Sequence, residues 1–223
     1  MSASETPDAG PDAALSKRRV VAEAVRLADR EGVSGLSMRR LAAALGAGAM
    51  SLYHYVAHKD ELVDAMIDAV FEEIAPPGAD LDWRSAMRER AISVREALAR
   101  HPWAIGLMER STPGPANLRH REAVTACLRK AGFTVLAATH ANWLIDSYVY
   151  GFALQSTALP FTDADEFADR AEGLYLPQLP PEEFPYLRES ATGLVAAGYD
   201  PAAEFTVGLD LILDALESLL PAS

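Results

Sequence analysis

The chain has 223 residues, half of them hydrophobic, with 20 Lys and Arg against 32 Asp and Glu and a net charge of −12. That length supports one or two domains with a real core, and no apolar run approaches the roughly 20 residues that a membrane span needs. An acidic total argues against a general nucleic-acid coat, and a single cysteine, Cys127, excludes an intrachain disulfide.

Residues 1–14 hold Pro, Gly, Ser and Ala with three acids and no base, which reads as a disordered tail and not as a signal peptide. Residues 16–60 then carry eight Lys or Arg against four acids, whereas the 163 residues beyond carry twelve bases against twenty-five acids. A small basic head on an acidic body suits site-specific DNA binding, because phosphate is attracted locally without indiscriminate adhesion. Helical periodicity runs through nearly the whole chain, and no stretch alternates for long enough to make a sheet. A first helix spans about Ser16 to Glu31, with Val21, Ala24, Val25 and Ala28 as its apolar stripe and Gly32 as its stop.

Residues 34–59 are the most informative. Ser37 is a good N-cap, Leu41, Ala42 and Leu45 recur on one face, and Gly46 follows where a left-handed residue ends a helix. Ala49 to Tyr55 restart as a second short helix, with Leu52 and Val56 packing back and Ala49, Met50, Ser51, Tyr53, His54 and Tyr55 left to point elsewhere. Two short helices around a glycine turn read as a helix-turn-helix, whose second helix enters a DNA major groove. A fourth helix starts near His58 and runs through Leu62, Met66, Ala69 and Val70 to Ile74, where Pro76-Pro77-Gly78 breaks it and sets a hinge.

Asp82 caps a fifth helix from Trp83 to about Arg100. A short sixth lies near Trp103–Arg110, and longer ones follow at Ala116–Ala131 and Val135–Leu159. Residues 160–181, with four prolines around a helical patch at Ala164–Leu174, read as a mostly mobile connection. Helices at Glu182–Ala197 and Ala202–Leu220 close the chain. The last carries Phe205, Leu209, Ile212, Leu213, Leu216, Leu219 and Leu220, and the 135–159 helix carries Leu136, Trp143, Leu144, Tyr148, Phe152 and Leu154. Both stripes are wider than one partner helix needs, so these helices either lie deep in the core or form a two-fold helix-pair interface. Cys127, in Ala-Val-Thr-Ala-Cys-Leu, reads as a small core residue sooner than as a redox sensor.

With Gly-Leu-Ser-Met-Arg-Arg-Leu-Ala, Leu-Gly and Ser-Leu-Tyr-His-Tyr-Val followed by Lys-Asp-Glu-Leu in view, the chain resembles the tetracycline-repressor (TetR) family of transcriptional regulators, most strongly over residues 16–74. The resemblance implies an all-α homodimer of nine to ten helices per chain. Residues 15–75 would form a three-helix helix-turn-helix head with its linker helix, and residues 79–223 a ligand-binding and dimerising body. Carried over by position, the DNA-contacting set is Ser37, Arg39, Ala49, Met50, Ser51, Tyr53, Tyr55 and Lys59. Arg39 suits a base edge or a phosphate and Lys59 a phosphate, while Tyr53 and Tyr55 have packing on the fourth helix as their alternative. His58 stands where the family has an amide or hydroxyl N-cap, which puts that cap in doubt.

In tetracycline repressors a histidine and a glutamate help to hold a magnesium–drug chelate. Here Met108 and Gln155 take those places, and Ala75 and Arg90 replace polar drug-contacting residues. A thioether and an amide are poor ligands for a hard cation, so no magnesium–tetracycline recognition, no metal and no cofactor are expected. The candidate effector lining is Arg90, Val94, Trp103, Met108, His140, Trp143 and Tyr150, apolar and aromatic with few polar groups, each with a core role as its alternative.

The expected function is therefore a cytoplasmic repressor, a homodimer on a palindromic operator in double-stranded DNA, released by an unknown small apolar or amphipathic effector and without membrane partners. Two alternatives stay open: a helical enzyme with a DNA-binding-like head, and an effector-independent DNA-binding protein. The enzyme reading lacks a phosphate loop, a nucleophile elbow or a visible acid–base pair, so no catalytic residues are assigned.

Overall fold

The computed structural model describes residues 15–109, 111–158 and 164–221; the tail expected at 1–14 lies outside them. Among the described residues there are ten α-helices and no strand. Helix α1 (Lys17–Glu31) begins where the Ser16 hydroxyl accepts from the Arg19 amide at 3.2 Å, and buries Val20, Ala24, Leu27 and Ala28. α2 (Met38–Ala44) is capped by Ser37, which accepts from the Arg40 amide at 3.3 Å. Gly46 then turns the chain at φ +65°, in the left-handed region that only glycine enters without Cβ strain.

α3 (Ala49–Leu52) is shorter than the Ala49–Tyr55 expectation. Leu52 and Val56 both point into the core of the head, and the chain tightens around them, with the amides of Tyr55 and Val56 both donating to the Leu52 carbonyl. α4 (Lys59–Glu73) starts at His58, and the cap that its imidazole put in doubt is made: Nδ1 accepts from the Glu61 amide at 3.1 Å. Glu61 closes the box by accepting from the Ala57 amide at 2.7 Å. Those contacts and the Lys17 ammonium hold the Glu61 carboxyl below its usual range.

Two hydrophobic cores divide the chain. One holds α1, α2 and α3 with Leu62 and Met66 of α4; the other holds Ile67, Val70, Phe71 and Ile74 of the same α4 with the helices Trp83–Arg100, Pro115–Lys130, Val135–Ala158 and Pro201–Glu217. α5 (Trp83–Arg100) is capped by Asp82 as expected. The sixth helix expected near Trp103 is instead a single 3-10 turn, Pro102–Ala104, followed by irregular turns to Glu109, and its expected end at Arg110 is outside the described residues. Pro102 starts that turn while Ala104 and Met108 are pulled inward.

α6 (Pro115–Lys130) has Gly114 at its N-cap, which offers no side chain. The cap comes from another helix: Asp68 of α4 accepts from the amides of Ala116 at 3.2 Å and Asn117 at 2.9 Å. A Cβ on Gly114 would collide with that carboxylate. One turn earlier in α4, Asp64 accepts from the Thr112 amide at 3.0 Å.

α7 (Val135–Ala158) turns Tyr148 and Phe152 onto Phe205 of α10 (Pro201–Glu217). Phe205, Leu209, Leu213 and Leu216 are thus core residues, while Val207 and Leu211 of α10, and Leu219 just beyond its end, are exposed. On α7, Leu136, Trp143, Leu144 and Leu154 face out. The segment expected to be a mobile connection is wound where it is described: α8 (Ala164–Arg170), a π turn to Tyr175 and a 3-10 turn to Gln178. Arg188 of α9 (Pro185–Ala197) fastens it by donating to the carbonyls of Leu176 at 2.9 Å and Leu179 at 3.0 Å. Cys127 is half-buried, and burial pushes its thiol up.

The Asp68 cap sets a stability expectation. Asp68→Ala should cost about 0.5–2 kcal/mol in urea unfolding, and Gly114→Ala, which drives a methyl into the carboxylate, about 1–3 kcal/mol. Unchanged midpoints in both variants would mean that the contact holds nothing.

Candidate functional site

Two sites emerge, one on the surface of the head and one inside the body. On the head, Arg39, Met50, Ser51, Tyr53 and Lys59 are exposed along α2, α3 and the first turn of α4, with Met50 77% accessible. The neighbouring Arg40 is committed, paired with Glu31 and donating to the Gly35 carbonyl at 3.3 Å. Three residues of the expected contact set have structural duties. Ser37 caps α2, Ala49 packs on the head core, and the Tyr55 hydroxyl donates to the Leu15 carbonyl at 2.8 Å. For Tyr55 packing wins, though its partner is the approach to α1 and not the fourth helix alone.

The seven residues expected to line an effector pocket do not meet in one place. Val94 and Met108 fill the body core. Trp103 sits at the seam between the two cores, where its indole N–H donates to Asp29 of α1 at 2.7 Å. His140 and Trp143 lie on the outside of α7, Trp143 at 63% exposure. Only Arg90 and Tyr150 line a common cavity. The physical reason is that helical position selects a face, and the large apolar side chains on inward faces are consumed as core volume.

What Arg90 meets is a buried polar cluster that sequence reasoning missed. Its Nε donates to His120 Nε2 at 3.0 Å, and its guanidinium pairs with Asp146 at 2.5 Å. Burial first, then the charges of Arg90 and Arg121, pull the His120 pKa down to about 3, so the ring is neutral. With Nε2 accepting from Arg90, the ring hydrogen stands on Nδ1. Burial and the Asp146 carboxylate push the Tyr150 phenol far up, so it too is neutral. Asn142, Phe71 and Val124 also line this small cavity of about 10 Å³, with Glu109 and Arg121 on its solvent side. Three buried polar atoms around it lack partners among the described residues: His120 Nδ1, Asn142 Oδ1 and, one turn before His120, Asn117 Nδ2. Such orphans are uncommon in a finished core.

Signals for these residues existed. Asp146 is the only carboxylate in the 24 residues of α7, and His120 shares an inward stripe with Ala116 and Val124. A larger groove of about 470 Å³ runs between α5, α7 and α10, but it contains none of the seven expected residues. The hydroxyls on it, Ser156 and Thr157, are spent on carbonyls of their own helix.

A second polar cluster ties the head to the body. His101 places Nδ1 2.7 Å from Asp29 of α1 and Nε2 3.1 Å from Glu73 of α4, and Arg100 pairs with Glu73 at 2.9 Å. The Met108 thioether is sealed in the core and Gln155 is a neutral amide on the surface, and neither group suits a hard cation.

Residues 20–66 match the family model for bacterial regulatory proteins of the tetR family, and residues 75–220 match the tetracyclin repressor-like C-terminal domain. The chain is 35% identical over 229 residues to the HTH-type transcriptional repressor DrrR1 of Streptomyces coeruleorubidus, covering 96% of this chain and 82% of that one. It is 32% identical over 205 residues to the class A tetracycline repressor of transposon 1721 from Escherichia coli, covering 91% and 90%. Among solved structures, ActR of Streptomyces coelicolor in complex with actinorhodin superposes with a TM-score of 0.74 at 33% identity, over 92% of this chain and 98% of that one.

A neutral buried His120 makes the protein acid-labile. Between its ordinary 6.5 and the folded value of about 3, the unfolded chain binds a proton that the folded chain refuses. Stability from this group is therefore complete above pH 6.5 and is lost as pH falls through that window, at up to about 1.4 kcal/mol per pH unit. Urea unfolding of wild type and His120→Gln should diverge across the window, with the variant losing less; parallel curves would mean that His120 is charged when folded.

Proposed function

The chain belongs to the tetracycline-repressor (TetR) family of ligand-responsive transcriptional repressors, and from that premise we propose that it holds a palindromic operator as a homodimer and lets go when an effector opens the body. We assign residues 15–75 to the DNA-binding head and residues 79–223 to the effector-binding and dimerising body. The observation that carries the mechanism is that α4 belongs to both cores. Its first turns hold the recognition helix through Leu62 and Met66, and its last turns present Phe71 to the cavity beside Arg90. Whatever moves Phe71 moves the head.

The cavity has room for only about 10 Å³ in this conformation, which suits the DNA-binding state; an effector that needs it enlarged stabilises the other one. Swinging the population from 1:99 to 99:1 takes about 5.5 kcal/mol of differential affinity. That ActR is seen with actinorhodin supports an organic effector inside the body of this chain as well. Dimerisation is supported by the outward apolar stripes of α7 and α10, Leu136, Trp143, Leu144 and Leu154 beside Val207 and Leu211, because exposed patches of this kind mark interaction surfaces. Two heads on successive major grooves must place their recognition helices about 34–36 Å apart, and a dimer fixes that spacing.

On the DNA we assign Arg39 to a base edge or phosphate, Lys59 to a phosphate, Ser51 and Tyr53 to hydroxyl contacts, and Met50 to an apolar contact. Arg39→Ala should weaken binding to the protein's own promoter by about 1–3 kcal/mol. Lys59→Ala should lower the slope of log affinity against log salt by about 0.9; an unchanged slope removes Lys59 from the interface. Leu211→Arg combined with Trp143→Arg should give a folded monomer in sedimentation that no longer shifts promoter DNA. A doubly substituted chain that stays dimeric and shifts DNA normally would place the interface elsewhere.

A further inference from the structure

Phe71 of α4 and His120 of α6, ring centroids 5.6 Å apart, form a wall with a space on either side. Behind it is the small cavity of about 10 Å³ beside Arg90. In front is an open groove of about 380 Å³ that runs past Ile74, Pro76 and Ala123. Small-molecule sites occupy roughly 300–1,000 Å³. The cavity alone is therefore too small and the groove alone is large enough. The groove's own charged groups, Glu72 and Arg119, are exposed to water, so its anchor must lie behind the wall.

Two residues that line the small cavity, His120 and Asn142, supply unpartnered polar atoms for that anchor. His120 Nδ1–H is a donor and Asn142 Oδ1 an acceptor; both are buried and neither has a partner among the described residues. A hydroxyl accepts and donates at once, and about 10 Å³ is the space of a single oxygen-sized group. Charges in the cavity are already balanced, Arg90 by Asp146 and Arg121 by Glu109. An anion would meet two carboxylates with no spare cation, and an ammonium would meet two guanidiniums.

We propose, resting on the reading that the body binds an effector, that this site takes an uncharged aromatic alcohol, its ring in the α4–α6 groove against Phe71 and its hydroxyl between His120 Nδ1 and Asn142 Oδ1. Phe71 yields to admit the hydroxyl, and because Phe71 belongs to α4 the ligand acts on the helix that carries the head.

The test titrates the full chain by calorimetry at neutral pH with three probes of matched shape: naphthol, its methyl ether and naphthoate. Naphthol should bind at least about tenfold more tightly than either of the others, since an unanswered buried donor or acceptor costs that much. Asn142→Ala should bring naphthol to the affinity of the ether and leave the ether unchanged, and naphthol should release promoter DNA from wild type in a gel shift. The wild-type series stands alone should Asn142→Ala fail to fold. Equal affinity for naphthol and ether, still lost in Phe71→Ala, overturns the hydroxyl anchor and leaves the effector reading intact; so does tighter binding of naphthoate. Binding of none of the three, or binding indifferent to Phe71→Ala, overturns the aromatic-alcohol site altogether.

Discussion

Between Met66 and Ile67 the fourth helix passes from one hydrophobic core to the other. Its fifteen residues span about 22 Å, and a continuous hydrogen-bonded helix of that length moves as a rod. Leu62 and Met66 are locked among Val20, Ala24, Leu41 and Leu52, while Val70, Phe71 and Ile74 are locked in the body. Neither core can shift its share of α4 without displacing the other, because cores packed to crystal density are bistable and do not deform smoothly. The rest of the functional argument depends on that sharing.

Carboxylates reinforce the rod at intervals. Asp64 and Asp68 reach down to the amides of Thr112, Ala116 and Asn117, so that the start of α6 is held by α4 itself. Glu73 accepts from Arg100, Asp29 of α1 accepts from Trp103, and the His101 ring lies between the two carboxylates, 3.1 Å from Glu73 and 2.7 Å from Asp29. The charge asymmetry of the chain acquires a meaning here. Basic residues such as Arg39 and Lys59 are exposed on the outer face of the head, and acidic ones along the head–body seam accept hydrogen bonds from the body.

Local chemistry made much of this legible in the sequence. Ser37 and Asp82 each accept the backbone bond that an N-cap should, and the starts of α2 and α5 follow from them. What escaped depends on distant partners. Asp68 caps α6 from nearly fifty residues away, at a position where Gly114 shows no cap at all. Arg90 was found through the resemblance, yet its partners His120 and Asp146 lie 30 and 56 residues further on, and only folding brings them together. Trp103 and Trp143 looked like pocket aromatics because type and spacing cannot tell an inward ring from one at a seam or on a surface. The recognition helix was drawn too long because Leu52 and Val56 both needed the core.

The central claim is that the body face of α4 sets the position of the head. Pulsed electron–electron resonance on a Cys127→Ala background, with a spin label at Ala43→Cys on the exposed side of α2, reads the distance between the two heads of the proposed dimer directly. The account predicts that Phe71→Ala, a change wholly inside the body, shifts or broadens that distance and weakens promoter binding while α2 and α3 stay folded. An unchanged distance distribution, with promoter affinity equal to wild type, would contradict it.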